Sequence, residues 1–345
     1  MKRRSFVQSA AAATVLGVPH LSGLAQQSVT LKFHTFMAPM SAVWLTMHKP
    51  WMEKVEKESG GRNKFEAYPA MQLGGAPPQL YDQARDGVVD VIWVLPAWTT
   101  GRFPRVEAFE LPFMMNNAEA TSKAFWEYYQ TECPDEFKDT HVLALHVHGP
   151  GMFHSVKKLI KSPSDLRGMK VRGPSRQVTK MLAAVGAIPV GMPLPSIPDA
   201  LSKGTIDACV IPWEVVPSIR VQELARLHSE FDHSGPSLYT SAFVMTMNKA
   251  KYESLAPDLK KVIDDNSGLA TSGWLGKTQQ DNDAQGRKAA VDAGNTIYQF
   301  TAEARAEFLK LSSRNDDEWV ADMDKRGYDG KKLLASAKSL IAKHA

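Results

Sequence analysis

Short, nearly unbroken apolar runs separated by stretches of helical spacing recur through this chain, and few folds accept that order. Val88–Leu95 and Val142–Val147 carry almost no polar side chain, the pattern of a strand covered on both faces. Val29–Phe36, Lys64–Tyr68, Phe153–Leu159, Met169–Arg172, Ile206–Ile211 and Ala242–Met247 also read as strands. Between them, Ser41–Glu56, Pro77–Arg85, Ala118–Gln130, Val178–Val185, Ile197–Lys203 and Val215–Ala225 have apolar residues at helical spacing. Pro50 interrupts the first of these. Strands alternating with helices predict α/β units built on mainly parallel sheets. Pro257 to Ala293 reads as one long helix or two in series, and Ala302–Leu311 and Lys331–Ala342 as amphipathic helices that close the chain.

Two segments resemble each other. Asp86-Gly87-Val88-Val89-Asp90 and Lys203-Gly204-Thr205-Ile206-Asp207 each follow a short helix, stop it with glycine and open a strand. We read this as two related α/β lobes, which 345 residues are enough to build.

Composition excludes several function classes. The formal net charge of +4 is too small to predict a nucleic-acid surface. Two cysteines, Cys133 and Cys209, allow neither a disulfide scaffold nor a four-cysteine zinc site. Cys209 falls in an apolar run and reads as a small buried hydrophobe. The start, Lys2-Arg3-Arg4-Ser5-Phe6 followed by Ala10 to Val18 and the small residues near Ala25, has the order of an export signal. It resembles the twin-arginine type, with cleavage near Ala25. The expected location is therefore the periplasm.

Cofactor chemistry leaves no local mark. No dinucleotide or phosphate-binding glycine loop, nucleophile elbow or H-E-x-x-H helix occurs. His146 and His148 share a strand face, with His154 nearby, but no acid or cysteine completes a ligand set. The expectation is no metal and no cofactor.

An ordered set of segments is more specific. Ala70-Met71-Gln72-Leu73-Gly74-Gly75 comes first, then Arg85–Asp90 and Glu110-Leu111-Pro112-Phe113. Ser162-Pro163-Ser164-Asp165-Leu166-Arg167-Gly168-Met169-Lys170-Val171-Arg172 follows, then Gly186–Val190, Ala200–Ala208 and Phe243–Lys249. Together, over about Leu31 to Leu255, they resemble the extracytoplasmic solute-binding proteins of tripartite ATP-independent periplasmic (TRAP) transporters. The resemblance implies a periplasmic-binding-protein-like α/β fold: two lobes, a hinge, a ligand cleft and long C-terminal helices. It implies residues 1–25 as signal, 28–149 with 237–270 as lobe I, 150–236 with 271–315 as lobe II, and 316–345 as helices packed on both. It also implies that Arg172 holds the carboxylate of a small organic acid and that the partners are TRAP permease membrane subunits. A guanidinium fork suits a carboxylate as a lysine does not.

The chain departs from that family's pattern as well. Gly151 stands where many members have a second arginine, Ser196 replaces a frequent glutamate and Pro198 a frequent tyrosine. Val210-Ile211-Pro212, followed by Trp213 and Glu214, replaces Glu-Asn-Pro. Polar groups are lost while Phe36, Trp93, Trp98, Phe153 and Trp213 stand nearby. The expected ligand is thus a monocarboxylate with an apolar or aromatic body, a 2-oxo or 2-hydroxy acid favoured. His148 and Tyr239 are candidate donors to its keto or hydroxyl oxygen. A periplasmic enzyme acting on a small carboxylic acid, and a binding protein of an ABC-type transporter, are the alternatives.

Overall fold

The computed structural model describes residues 28–232 and 235–345; the export-signal segment lies outside them. Among the described residues eleven strands form two sheets. The first holds β1 (Val29–Thr35), β2 (Asn63–Tyr68), β3 (Val91–Val94), β4 (Thr140–Val147) and β10 (Ala242–Asn248), in the order β2-β1-β3-β10-β4. The second holds β5 (Gly151–Ser155), β6 (Lys170–Gly173), β7 (Ile188–Gly191), β8 (Ala208–Pro212), β9 (Leu227–Glu230) and β11 (Thr296–Gln299), in the order β11-β9-β5-β8-β6-β7.

Both sheets are mixed, not mainly parallel. β10 runs antiparallel to β3 and β4, and β5 antiparallel to β8 and β9. The reason is topological. The chain leaves the first sheet after β4, enters the second directly as β5, and returns as β10. These crossing strands meet their neighbours head to tail because no crossover helix precedes them.

Burial follows strand alternation. In β8, Ala208 and Val210 join a cluster with Val171, Leu182 and Phe308, while Cys209 and Ile211 join another with Met152, Ile197 and Val216. The sheet is thus covered on both faces, as its apolar runs require. Cys133 and Cys209 are free thiols, both buried.

The Pro257–Ala293 stretch is three helices, Pro257–Asp265, Gly268–Asp281 and Asp283–Asp292. Gly268 at φ 82° makes the first break, a conformation glycine adopts without a Cβ penalty. Gly268–Asp281 packs on helix Ala118–Glu132 and on β4, so first-sheet packing runs past residue 270. Asp283–Asp292 packs instead on the Trp213–Val215 turn of the second. Helix Arg314–Lys325 lies on helix Arg176–Ala184 and helix Gly330–His344 on Ala118–Glu132, so the C-terminal pair touches both lobes. Val215–Ala225 is mostly turn, with helix only at Val221–Leu224. Pro217 supplies no N–H, and Arg220 sits in the left-handed region at φ 56°.

Candidate functional site

The two sheets aim the ends of several strands at one cavity. It is lined from the first lobe by Phe36, Trp93, Trp98, His148, Tyr239, Ser241 and Phe243, and from the second by Arg172, Leu194, Ile211 and Glu214, with Gln279 from the crossing helix. The atom-free space is about 400 Å³, counting the part that opens to solvent. Ligand sites of open α/β sheets form beyond the carboxyl ends of strands, and Arg172 near the end of β6 obeys this rule.

One wall is aromatic. Trp93 stacks on Phe243 with ring centroids 4.3 Å apart and planes 8° apart, and on Phe36 at 5.3 Å. Phe36 meets Trp98 edge to face at 4.8 Å. The indole of Trp93 donates to His146 Nε2 at 2.7 Å, which fixes its plane. Trp98 donates across the cleft to Pro174 O at 3.0 Å. Beside it, Arg176 and Gln177 of the second lobe both donate to Glu107 of the first. The lobes are closed on each other.

Arg172 is 2% exposed. Its Nε donates to Met192 O at 3.0 Å and Nη1 to Val210 O at 3.2 Å. Among the described residues no carboxylate pairs with it. Burial pushes its pKa down to about 10, so the group remains a cation at neutral pH. A buried, hydrogen-bonded cation without an anion is an expensive arrangement. Two polar atoms of the lining, Tyr239 Oη and Ser241 Oγ, are buried with no hydrogen-bond partner.

Tyr239, Ser241 and Phe243 are alternate residues of the segment that becomes β10. Period-two spacing from Tyr239 was the signal that could have found the other two. Glu214 and Gln279 lie 65 residues apart, and no local pattern joins them. Gly151 has a clear reason to be glycine. A Cβ there would collide with Cε1 and Cζ of Tyr239, so this ring occupies the space beside Gly151.

His148 lines the cavity but has no donor to offer. Its Nε2 accepts from the backbone N–H of Ser241 at 3.0 Å, so Nδ1 carries the hydrogen and donates to Gly149 O. Phe153 and Trp213 are not part of the lining. Alternation along β5 turns Phe153 into the core against Phe300 and Phe308. The Trp213 indole donates to Glu230 at 2.7 Å, and its ring packs on His154 and His228. His154 and His228 bond each other through Nδ1 at 2.7 Å, away from His146, and no metal-ligating trio gathers among the described residues.

The buried titratable groups predict a stability optimum. Burial holds His48 and His146 down to about 3, and His148 and His228 to about 4. It holds Glu110 and Glu214 up to about 8. The depressed histidines contribute stability above their usual 6.5, lost as pH falls toward 4 and 3. The raised acids contribute stability below their usual 4.5, lost as pH rises toward 8. Between 4.5 and 6.5 the four histidines outweigh the two acids, so stability still climbs there and turns over only above 6.5. Thermal melts across pH should therefore peak near pH 6.5; a steady rise in melting temperature from pH 6.5 to 8 would contradict this balance.

The fold and the site define a bacterial solute-binding protein. The model of bacterial extracellular solute-binding protein family 7 (DctP) matches residues 34–320, and the chain belongs to that family. Solved relatives are TRAP solute-binding proteins. One from Rhodoferax ferrireducens T118, in complex with copurified benzoate, is 66% identical with a TM-score of 0.91, covering 92% of this chain and 98% of that one. A marine metagenome protein specific for aromatic acid ligands, co-crystallised with 3-hydroxybenzoate, is 48% identical with a TM-score of 0.90, covering 92% and 99%. One from Bordetella bronchiseptica with bound (R)- and (S)-mandelate is 26% identical with a TM-score of 0.84, covering 92% and 100%. Among the described residues no helix is long and apolar enough to cross a membrane.

Proposed function

We infer that this protein captures a single-ring aromatic monocarboxylate in the periplasm and delivers it to the membrane permease of a TRAP transporter. The observation that carries the reading is the Arg172 cation, buried without an anion at one side of an aromatic-walled cavity. The ligand carboxylate takes the free face of the guanidinium, Tyr239 and Ser241 donate to it, and the ring lies against Phe36, Trp93 and Phe243. Closure follows from differential affinity, because the ligand touches both lobes only when they meet. The benzoate, 3-hydroxybenzoate and mandelate seen in the relatives fit this chemistry. Export by the twin-arginine route with cleavage near Ala25 belongs to the same reading.

The cavity favours binding over bond-making. A hydroxyl nucleophile needs an adjacent base, and His148 Nε2 is taken by the Ser241 backbone, which leaves the Ser241 hydroxyl without one.

A calorimetric and thermal-shift panel tests the proposal. Benzoate and mandelate should bind, and ligand at a hundred times its Kd should raise the melting temperature by roughly 5 °C. Malate and gluconate should not bind, since a second carboxylate or a polyhydroxyl chain would desolvate against the aromatic wall. Binding of malate or gluconate with no response to benzoate would overturn it.

A further inference from the structure

The cavity has a second polar pole. Gln279 Nε2 donates to Glu214 Oε1 at 2.6 Å, and the second carboxyl oxygen, Glu214 Oε2, and the amide oxygen, Gln279 Oε1, are buried without a partner. Both residues line the cavity and are 98–99% buried (2% and 1% exposed). A buried polar atom left unpaired costs free energy, and two of them side by side at the wall of a ligand cavity call for a ligand group there.

This pole is apart from the carboxylate cradle. Arg172 bonds Val210 O, inside β8, whereas Glu214 follows beyond that strand, whose last residue, Pro212, is about 7 Å along from Val210 by strand rise. Arg172 leaves no mark on the protonation of Glu214, which burial raises and only the Gln279 bond opposes. Glu214 therefore stays largely protonated at neutral pH, with a hydrogen to give at Oε2. Gln279 Oε1 is an acceptor. A donor beside an acceptor matches a hydroxyl, which does both. It does not match a second carboxylate, which would meet an acceptor and no cation.

We propose that Glu214 and Gln279 form a hydroxyl-reading subsite, so that the preferred ligand is an aromatic monocarboxylate carrying a ring hydroxyl distal to its carboxylate. The proposal rests on the reading that Arg172 holds a carboxylate in this cavity. The ring hydroxyl accepts from Glu214 Oε2 and donates to Gln279 Oε1, and the plain ring leaves both orphaned. Sites built to hydrogen-bond a hydroxyl discriminate strongly against the analogue that lacks it.

The test is calorimetry of the full-length mature protein with benzoate, 3-hydroxybenzoate and 4-hydroxybenzoate, repeated on Glu214→Met and Gln279→Met. The unaltered protein should bind one hydroxybenzoate isomer at least tenfold more tightly than benzoate. In each folded variant that ratio should fall to within threefold of unity while benzoate binding persists, a result general damage to the site would not give. Benzoate binding without preference for either isomer overturns the subsite and leaves the proposed function standing. So does a preference that survives in both variants, or a folded variant that loses all three ligands alike. Should neither variant fold, the ratio in the unaltered protein decides. No binding of any of the three contradicts the proposed function itself.

Discussion

Replacing Arg172 by alanine or methionine should abolish aromatic-acid binding and leave the fold intact. The guanidinium is desolvated and hydrogen-bonded to two carbonyls, with one face free for an anion. Truncating one partner of such a buried charge pair costs about 2–5 kcal/mol, a roughly 30- to 4,000-fold rise in Kd. The ligand-free protein should melt no lower than before, because a buried cation without an anion disfavours the folded state. Calorimetry with benzoate and melts without ligand check both halves. A merely structural arginine would give the opposite pattern, with unchanged affinity and a lower melting temperature. Arg172→Lys should fall between the two, keeping the charge but losing the planar fork.

The second large effect is expected at Gly151. The Cβ of Gly151→Ala would fall within the van der Waals envelope of the Tyr239 ring. That ring has little freedom, since it meets His148 edge to face at 5.5 Å, and Tyr239 O accepts from the Gly151 N–H at 3.1 Å. Overpacking of this kind costs about 1–3 kcal/mol, and the displaced Tyr239 hydroxyl no longer faces the carboxylate. The expected result is a lower melting temperature and at least a tenfold loss of benzoate affinity. Adding Tyr239→Ala should not restore the affinity, because the hydroxyl that faces the carboxylate is then gone, and truncating this buried ring brings its own loss of stability. A Gly151→Ala protein with native melting and native affinity would show that the ring yields freely.

Much of this was legible in the chain. The apolar runs marked the buried strands because a sheet covered on both faces admits few polar residues, and those it holds, such as His146, are hydrogen-bonded. Ordered likeness to a family marked Arg172. Phe36, Trp93 and Trp98 follow strands or lie at their ends, and the structure brings them to the cavity together. Other features have no local signature. β9 and β11 are four-residue strands of mixed polarity and β7 is Ile188-Pro189-Val190-Gly191, with a proline and a glycine, so all three are held by their neighbours and not by their own pattern. Phe153 shows the parity problem of a strand: adjacent residues face opposite sides, and the sequence does not say which side meets the cleft. Trp213 lies in the turn just beyond β8, where no strand period sets its direction. Gln279 reaches Glu214 only because helix Gly268–Asp281 crosses toward the second lobe. His148 looked like a donor until a backbone N–H, invisible in any motif, occupied its free nitrogen.

The central claim is that Arg172 is a cation waiting for an anion inside a closed aromatic cavity. A crystal structure of the protein with benzoate measures this directly. The account predicts a carboxylate oxygen about 2.8 Å from the guanidinium of Arg172, with the ring against Trp93 and Phe243. A benzoate bound elsewhere, or bound in this cavity with its carboxylate turned away from Arg172, would contradict it.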